Sequence, residues 1–170
     1  MPMATAYIAM GSNLGDRAET LRRAAQKLKA LGRITQVSSL YETAPVGYLE
    51  QPAFLNAVLA LDTMLVPVDL LCALLGIERD LGRARPFRNA PRTLDLDLLL
   101  VDDLILDTPE LTLPHPRLHE RAFVLDPLAE IAPDVVHPGF GQTIGELLRR
   151  LPPSGGVEVF AASGWDHERR

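Results

Sequence analysis

Apolar positions along this chain switch between two spacings, and the switches mark its elements. Residues 6–10 form a short apolar run that ends at Gly11, a strand entering a turn. "GSNLGD" supplies turn residues, and Asp16 stands where it can cap a helix. Leu21, Ala24, Leu28 and Leu31 then fall at helical spacing over 17–31, and Gly32 stops the helix. Two strands are predicted next, Ile34–Tyr41 and Phe54–Leu61, separated by the loop "ETAPVGYLEQP" with its two prolines and a glycine. Pro67 suits a first helical position, and Val68, Leu71, Leu74, Leu75 and Leu81 carry a second helix to Gly82. Leu94–Val101 reads as a fourth strand and Leu104–Leu106 as a short fifth. Beyond Pro114 the spacing is helical again, clearest over Arg121–Ile131 and Ile144–Leu151. Residues 152–170 open with "PPSGG" and close with "DHERR", which predicts a mobile tail holding one short strand at Val157–Phe160.

Strand, helix, strand, strand, helix, strand is the split-βαβ order of ferredoxin-like sheets. The expectation is therefore an α+β fold. Its antiparallel sheet would carry the first two helices on one face and the C-terminal helices on the other, an αβα sandwich. No repeat or internal linker divides the chain, so residues 1–151 read as a single domain followed by the tail.

Composition narrows the classes. With 170 residues, 47% of them hydrophobic, the chain can build a core of its own. The net charge of −5 argues against a protein that coats nucleic acid. Cys72 is the only cysteine, which excludes an intrachain disulfide, and its apolar surroundings suggest a small core residue. The first residues lack the basic start and apolar run of a signal peptide, and no stretch reaches the length of a membrane span. The reading is a soluble cytoplasmic protein without a membrane or nucleic-acid partner, and a monomer.

Four pieces can carry chemistry. "PRTLDLDLLL" puts Asp95 and Asp97 on one face of a strand and Leu94, Leu96 and Leu98 on the other. The flanking leucines argue for a central strand, where an acidic pair needs water, arginine or a metal to compensate it. Magnesium takes hard oxygen ligands, usually one or two carboxylates plus substrate phosphates. Just before the pair, "RARPFRNAPR" carries Arg83, Arg85, Arg88 and Arg92 and no acid, and arginine's planar fork suits phosphate. Together they are the parts of a polyphosphate–magnesium site, although no Walker-type loop is present. His115 and His119 are four apart, but Pro116 interrupts any helix joining them, so a phosphate contact from His115 near Arg121 fits better than zinc. His119 and His137 read as surface residues. In "QPAFLNAV", Asn56 interrupts an apolar strand with Phe54 on the same face. Either backbone satisfies its amide, or it reads the edge of a flat polar ligand.

"AYIAMGSNLGD", "SSLYETAPVG", "QPAFLNAV", "IERDLGRAR", "PRTLDLDLLL" and "LPHPRLHERAFVLDPLAEIAPD", in that order, resemble one family. It is 6-hydroxymethyl-7,8-dihydropterin pyrophosphokinase, of folate biosynthesis, and the resemblance runs from about Ala6 to about Gln142. It implies transfer of pyrophosphate from ATP to the pterin hydroxymethyl group, with AMP released. It further implies two Mg2+ ions on Asp95 and Asp97, with Arg83, Arg85 and Arg92 holding or stabilising the triphosphate. Glu78, Leu98, Thr112, His115 and Arg121 would lie along ATP. Asn56 would read the pterin ring, Phe54 and Phe123 would sandwich it, and Thr43, Ala44 and Val46 would line the same pocket through backbone.

This chain departs from some members at Leu75, Asn89, Glu110 and Pro116, which bears on the adenosine contacts and on loop closure. No side chain stands out as a general base. The rival reading is a ferredoxin-like regulatory module that binds a nucleotide or RNA through the arginine loop without turnover. The acidic net charge and the lack of paired sheet aromatics count against it.

Overall fold

The computed structural model describes residues 3–43, 53–82, 94–152 and 157–167. Its elements run β1 (Ala4–Ser12), α1 (Arg17–Leu28), β2 (Arg33–Val37), β3 (Leu40–Thr43), β4 (Phe54–Thr63), α2 (Pro67–Leu81), β5 (Asp95–Val101), β6 (Leu106–Asp107), β7 (Thr112–Leu113), α3 (Ala122–Ile131), α4 (Ile144–Arg150) and β8 (Val157–Ala161). The main sheet has the order β5-β1-β4-β3-β8, with β2 also on β4, and each pair is antiparallel. That is the expected α+β ferredoxin-like arrangement. Leu21, Ala24 and Leu28 of α1 and Leu70, Leu74 and Ile77 of α2 fill the core on one face. Val124, Leu125 and Leu128 of α3 and Ile144 and Leu147 of α4 fill the core on the other. Among the described residues no helix is long and apolar enough to cross a membrane.

The helix ends follow local chemistry. The Asp16 carboxylate accepts the Glu19 N–H at 3.2 Å, and Pro67 opens α2. Gly32 does a different job from the one expected. Its φ is not in the left-handed range, and α1 has already ended at Leu28. A Cβ there would overlap the Asp62 carbonyl, so Gly32 lets the chain press against the end of β4.

The expected strand Ile34–Tyr41 is two strands. Ser38 and Ser39 break it because Ser38 bonds to β4 by other means: its Oγ accepts the Val58 N–H and its N–H donates to the Val58 carbonyl, both at 2.9 Å. The short strand expected at Leu104–Leu106 starts later, at Leu106, and pairs with β7. Cys72 is exposed on α2 and is no core residue; Leu70 and Leu74 turn that helix's apolar stripe inward instead. His137 is buried, not at the surface. Its Nδ1 accepts N–H bonds from Gly139 and Phe140, each 3.1 Å, and its ring stacks on Phe140.

Among the described residues β5 is an edge strand and not the central one its leucines suggested. Layers on both faces bury it, and two bonds occupy its outer rim. Leu96 N–H donates to Glu78 Oε2 at 2.8 Å, and the Leu99 carbonyl accepts from His115 N–H at 2.9 Å. The register shifts between Tyr7, opposite Leu100, and Ile8, opposite Leu98, so Leu99 is the extra residue of a bulge. The bulge lets Leu99 and Leu100 both serve the α3–α4 core while Leu96 and Leu98 serve the α1–α2 core. The described part of the tail is packed down: β8 pairs with β3, and the Trp165 Nε1–H donates to the Ser38 carbonyl at 2.8 Å.

Gly32→Ala should destabilise the fold by about 1–3 kcal/mol, because backbone rather than a flexible side chain blocks the added methyl. Urea denaturation at neutral pH checks this. Burial, and secondarily His119, lowers the proton affinity of His137 from its ordinary value. As pH falls below about 6.5 the unfolded chain therefore takes up this proton first, and stability drops; above that range the contribution is level. Melting temperature should fall from neutral toward acidic pH, and less steeply in His137→Asn, whose Oδ1 can accept the same two N–H bonds.

Candidate active site

The site is a row across three strands. Gly11 of β1 lies opposite Asp95 of β5 on one side and opposite Asn56 of β4 on the other, and Asn56 lies opposite Tyr41 of β3. Directly opposed residues share a face, so Asp95, Gly11 and Asn56 look out of the same side of the sheet. Asp97, opposite Ala9, stands one step along on that face. Two strand spacings, about 10 Å, separate the carboxylate end from the amide end. Gly11 contributes no side chain between them, and an added Cβ would meet Asn56 Oδ1 at 3.0 Å.

The first turn of α3 covers this row. Phe123 and Val124 join Phe54, Asn56, Gly11, Asp95 and Asp97 around one narrow slot. The slot encloses about 50 Å³. A ligand pocket usually holds about 300 Å³ or more.

The amide end is held from behind. Asn56 is 7% exposed, and its Nδ2 donates to Thr43 Oγ1 at 2.9 Å. That bond fixes the amide plane and presents Oδ1 over Gly11. Tyr41 donates its hydroxyl to Glu130 Oε1 at 2.6 Å, and Glu130 also accepts the Ser39 N–H. Burial, then this bond, raises the Tyr41 pKa above its ordinary value, so the hydroxyl stays a donor. The pair ties α3, which carries Phe123, to β3, which carries Thr43.

At the carboxylate end, Glu78 bonds the backbone of β5 at Leu96, between the two aspartates. It thereby fixes how far Asp95 and Asp97 stand from α2. His115 is half-buried and its Nδ1 accepts the Arg117 N–H at 3.2 Å. A neutral ring so held carries its proton on Nε2. Burial lowers the His115 pKa, the Asp97 carboxylate pulls it back up, and Arg121 and Arg117 push it down. Arg121 lies over the Phe123 ring at 5.6 Å. Among the described residues no group of three or more His, Cys, Asp and Glu side chains could hold a metal. Two carboxylates without a third ligand suit a hard cation that takes its other oxygens from phosphate and water.

Asp95, Asp97, Phe54, Asn56 and Phe123 thus meet around one slot, with Thr43 bonded to Asn56, Arg121 over Phe123, and Glu78 and His115 bonded to the β5 backbone. Thr112 sits on β7, half-buried. Leu98 turns its side chain into the α1–α2 core, away from the aspartates, and can reach a ligand only through its backbone. Arg83, Arg85, Arg92, Ala44 and Val46 lie outside the described residues.

Arg17 was missed. It donates to the Ala53 carbonyl at 2.7 Å and to Glu42 Oε2 at 2.9 Å, joining the two flanks of residues 44–52. A signal existed: a cation in a helix's first turn sits against the macrodipole and needs another reason to be there. The Thr43 hydroxyl was also missed, since a threonine at a strand end gives no sign of its partner.

Layers and row together define a class: a ferredoxin-like α+β domain that offers a carboxylate pair and an oriented amide from adjacent strands of one face. The family model described as 7,8-dihydro-6-hydroxymethylpterin-pyrophosphokinase matches residues 7–133. The 2-amino-4-hydroxy-6-hydroxymethyldihydropteridine pyrophosphokinase of Pseudomonas aeruginosa is 47% identical over 151 residues, covering 88% of this chain and 93% of that protein. The Bacillus subtilis protein of the same name is 46% identical, covering 93% and 96%. The folic acid synthesis protein fol1 of Schizosaccharomyces pombe is 42% identical over 92% of this chain, which spans only 22% of that longer protein. A crystal structure of Plasmodium falciparum HPPK-DHPS with pteroate shares the fold, with a TM-score of 0.73 at 15% identity over 87% of this chain and 44% of that one. The chain belongs to the 7,8-dihydro-6-hydroxymethylpterin-pyrophosphokinase family.

Thr43→Val removes the acceptor of a buried amide N–H, which typically costs about 1–3 kcal/mol. Thr43→Ser keeps the acceptor and should recover most of that loss. Denaturant midpoints of the two variants against wild type check the assignment.

Proposed function

We propose that this chain transfers pyrophosphate from ATP to the hydroxymethyl group of 6-hydroxymethyl-7,8-dihydropterin and releases AMP, a step of tetrahydrofolate biosynthesis. The observation that carries it is the row Asp95–Gly11–Asn56, which offers a cation-binding end and a ring-reading end about two strand spacings apart. Family membership supports the same reading.

The pterin ring enters between Phe54 and Phe123, its polar edge against Asn56, and Thr43, Ala44 and Val46 complete the wall. The triphosphate lies toward β5, with Glu78, Arg85, Leu98, Thr112, His115 and Arg121 on the nucleotide side. His115 donates its Nε2–H to a phosphate oxygen. The hydroxymethyl oxygen attacks the β-phosphorus, the bond from that phosphorus to the oxygen bridging the α-phosphate breaks, and AMP leaves with that electron pair. The hydroxyl proton goes to water. Arg83 and Arg92 stabilise the charge on the moving group, and alignment of attacking oxygen, phosphorus and leaving oxygen carries much of the acceleration. Asp95 and Asp97 hold Mg2+, for which we assign two ions. When bound, these supply charge neutralisation on the phosphate oxygens. All of these residues come from one chain and fall within residues 1–151, so a monomer suffices, working in the cytoplasm where ATP is available.

Pterin-dependent release of AMP from ATP is the test. It should be present in wild type and fall about a hundredfold or more in Asp97→Ala, while the melting temperature stays level or rises as a repelling carboxylate is removed. AMP release that ignores the pterin, or near-normal turnover in Asp97→Ala with magnesium, would sink the proposal. Nucleotide binding without turnover would favour the regulatory module instead.

A further inference from the structure

The wall that fixes Asn56 hangs on little within the sheet. β3 meets β4 at three residue pairs, Tyr41–Asn56, Glu42–Leu55 and Thr43–Phe54. Its other side is held entirely by the C-terminal segment. Val157 of β8 lies opposite Thr43, Glu158 opposite Glu42, Val159 opposite Tyr41 and Ala161 opposite Leu40. Beyond β8 the chain turns back, and Trp165 donates its indole N–H to Ser38 at the break just before β3. Asp166 follows, 6% exposed, and its carbonyl accepts Gln26 Nε2–H from α1 at 2.7 Å. Phe160 lies beneath the Arg17 guanidinium at 5.5 Å, the same group that bonds Ala53 and Glu42 on either side of residues 44–52. None of these contacts touches Asp95, Asp97 or His115.

We propose that residues 157–167 form a strap that sets the geometry of the ring-reading end, with Trp165 as its positioning residue. The inference rests on the pterin reading above. Trp165 fixes where β3 begins, β8 fixes its line, and Thr43 at its end holds the Asn56 amide in plane. Arg17, seated on Phe160, carries the same restraint to Ala53, next to Phe54. Slackening the strap lets Thr43 and Asn56 leave the arrangement that matches the ring edge. Affinity then falls with the fraction of molecules holding that arrangement. The nucleotide end, built on β5, α2 and His115, is unaffected.

The experiment uses full-length chain and measures three things: affinity for a non-hydrolysable ATP analogue, affinity for the pterin in its presence, and melting temperature. Trp165→Phe keeps an aromatic side chain but removes the indole N–H together with its ring, so pterin affinity should fall about three- to tenfold. Affinity for the ATP analogue should stay unchanged. Gln26→Ala loosens the strap's other tie and should act in the same direction. Pairing Trp165→Phe with Thr43→Val should cost less pterin affinity than the two separate losses combined, because both act through the Asn56 amide. Trp165 is the chain's only tryptophan, so its single indole N–H resonance reports on the strap and should shift when the pterin is added to the analogue complex. Parallel losses for both ligands, or unchanged pterin affinity in Trp165→Phe, would overturn the strap. Failure of wild type to bind the pterin at all would overturn the reading it rests on instead.

Discussion

The register of β1 against its two neighbours is the constraint on which the rest depends. β1 meets β4 over nine residue pairs, and it meets β5 on its other side. Through those ladders Gly11 finds both Asp95 and Asn56. Sheet side chains alternate, so a slip of one residue on either side would turn the aspartates or the asparagine into the α1–α2 core. The leucines that alternate with the aspartates are what forbid the slip. Leu94, Leu96 and Leu98 are each nearly wholly buried on the opposite face. Site and core are thus the two faces of one pattern, and neither can be moved without the other.

The second requirement is that the covering helix stay in step with the sheet. α3 contributes Val124, Leu125 and Leu128 to the core, a non-directional attachment that tolerates sliding. Glu130 removes that freedom, since its carboxylate accepts the Ser39 N–H and the Tyr41 hydroxyl together. Phe123 at the other end of α3 is then placed relative to Thr43 on β3. Directional bonds at the far end of the helix set the width of the slot at the near end.

The split-βαβ order and both helix layers were legible because helices and strands of this chain carry clear periods. The acidic pair, Phe54 and Asn56 were legible for a related reason: polar side chains on an apolar pattern stand out. What escaped was set by partners distant in sequence. Ser38 looked like strand because nothing local shows that its hydroxyl will accept the Val58 N–H. Cys72 looked buried because its neighbours are apolar, yet it falls on the outer side of α2. The Trp165 anchor was invisible for the same reason, lying 127 positions from Ser38. β5 looked central because its leucines serve two cores through a bulge, and a bulge leaves no mark in composition.

That strand's position has one more consequence. An outermost strand reading DLDLLLV is a template on which another chain could pair, and natural sheets blunt such rims. Here the blunting comes from Glu78 at Leu96 and from the His115 backbone at Leu99. The bonds that hold the carboxylates in place are therefore also the guard against edge-to-edge aggregation. Changes that loosen this end of the molecule would carry a cost in solubility as well as in chemistry.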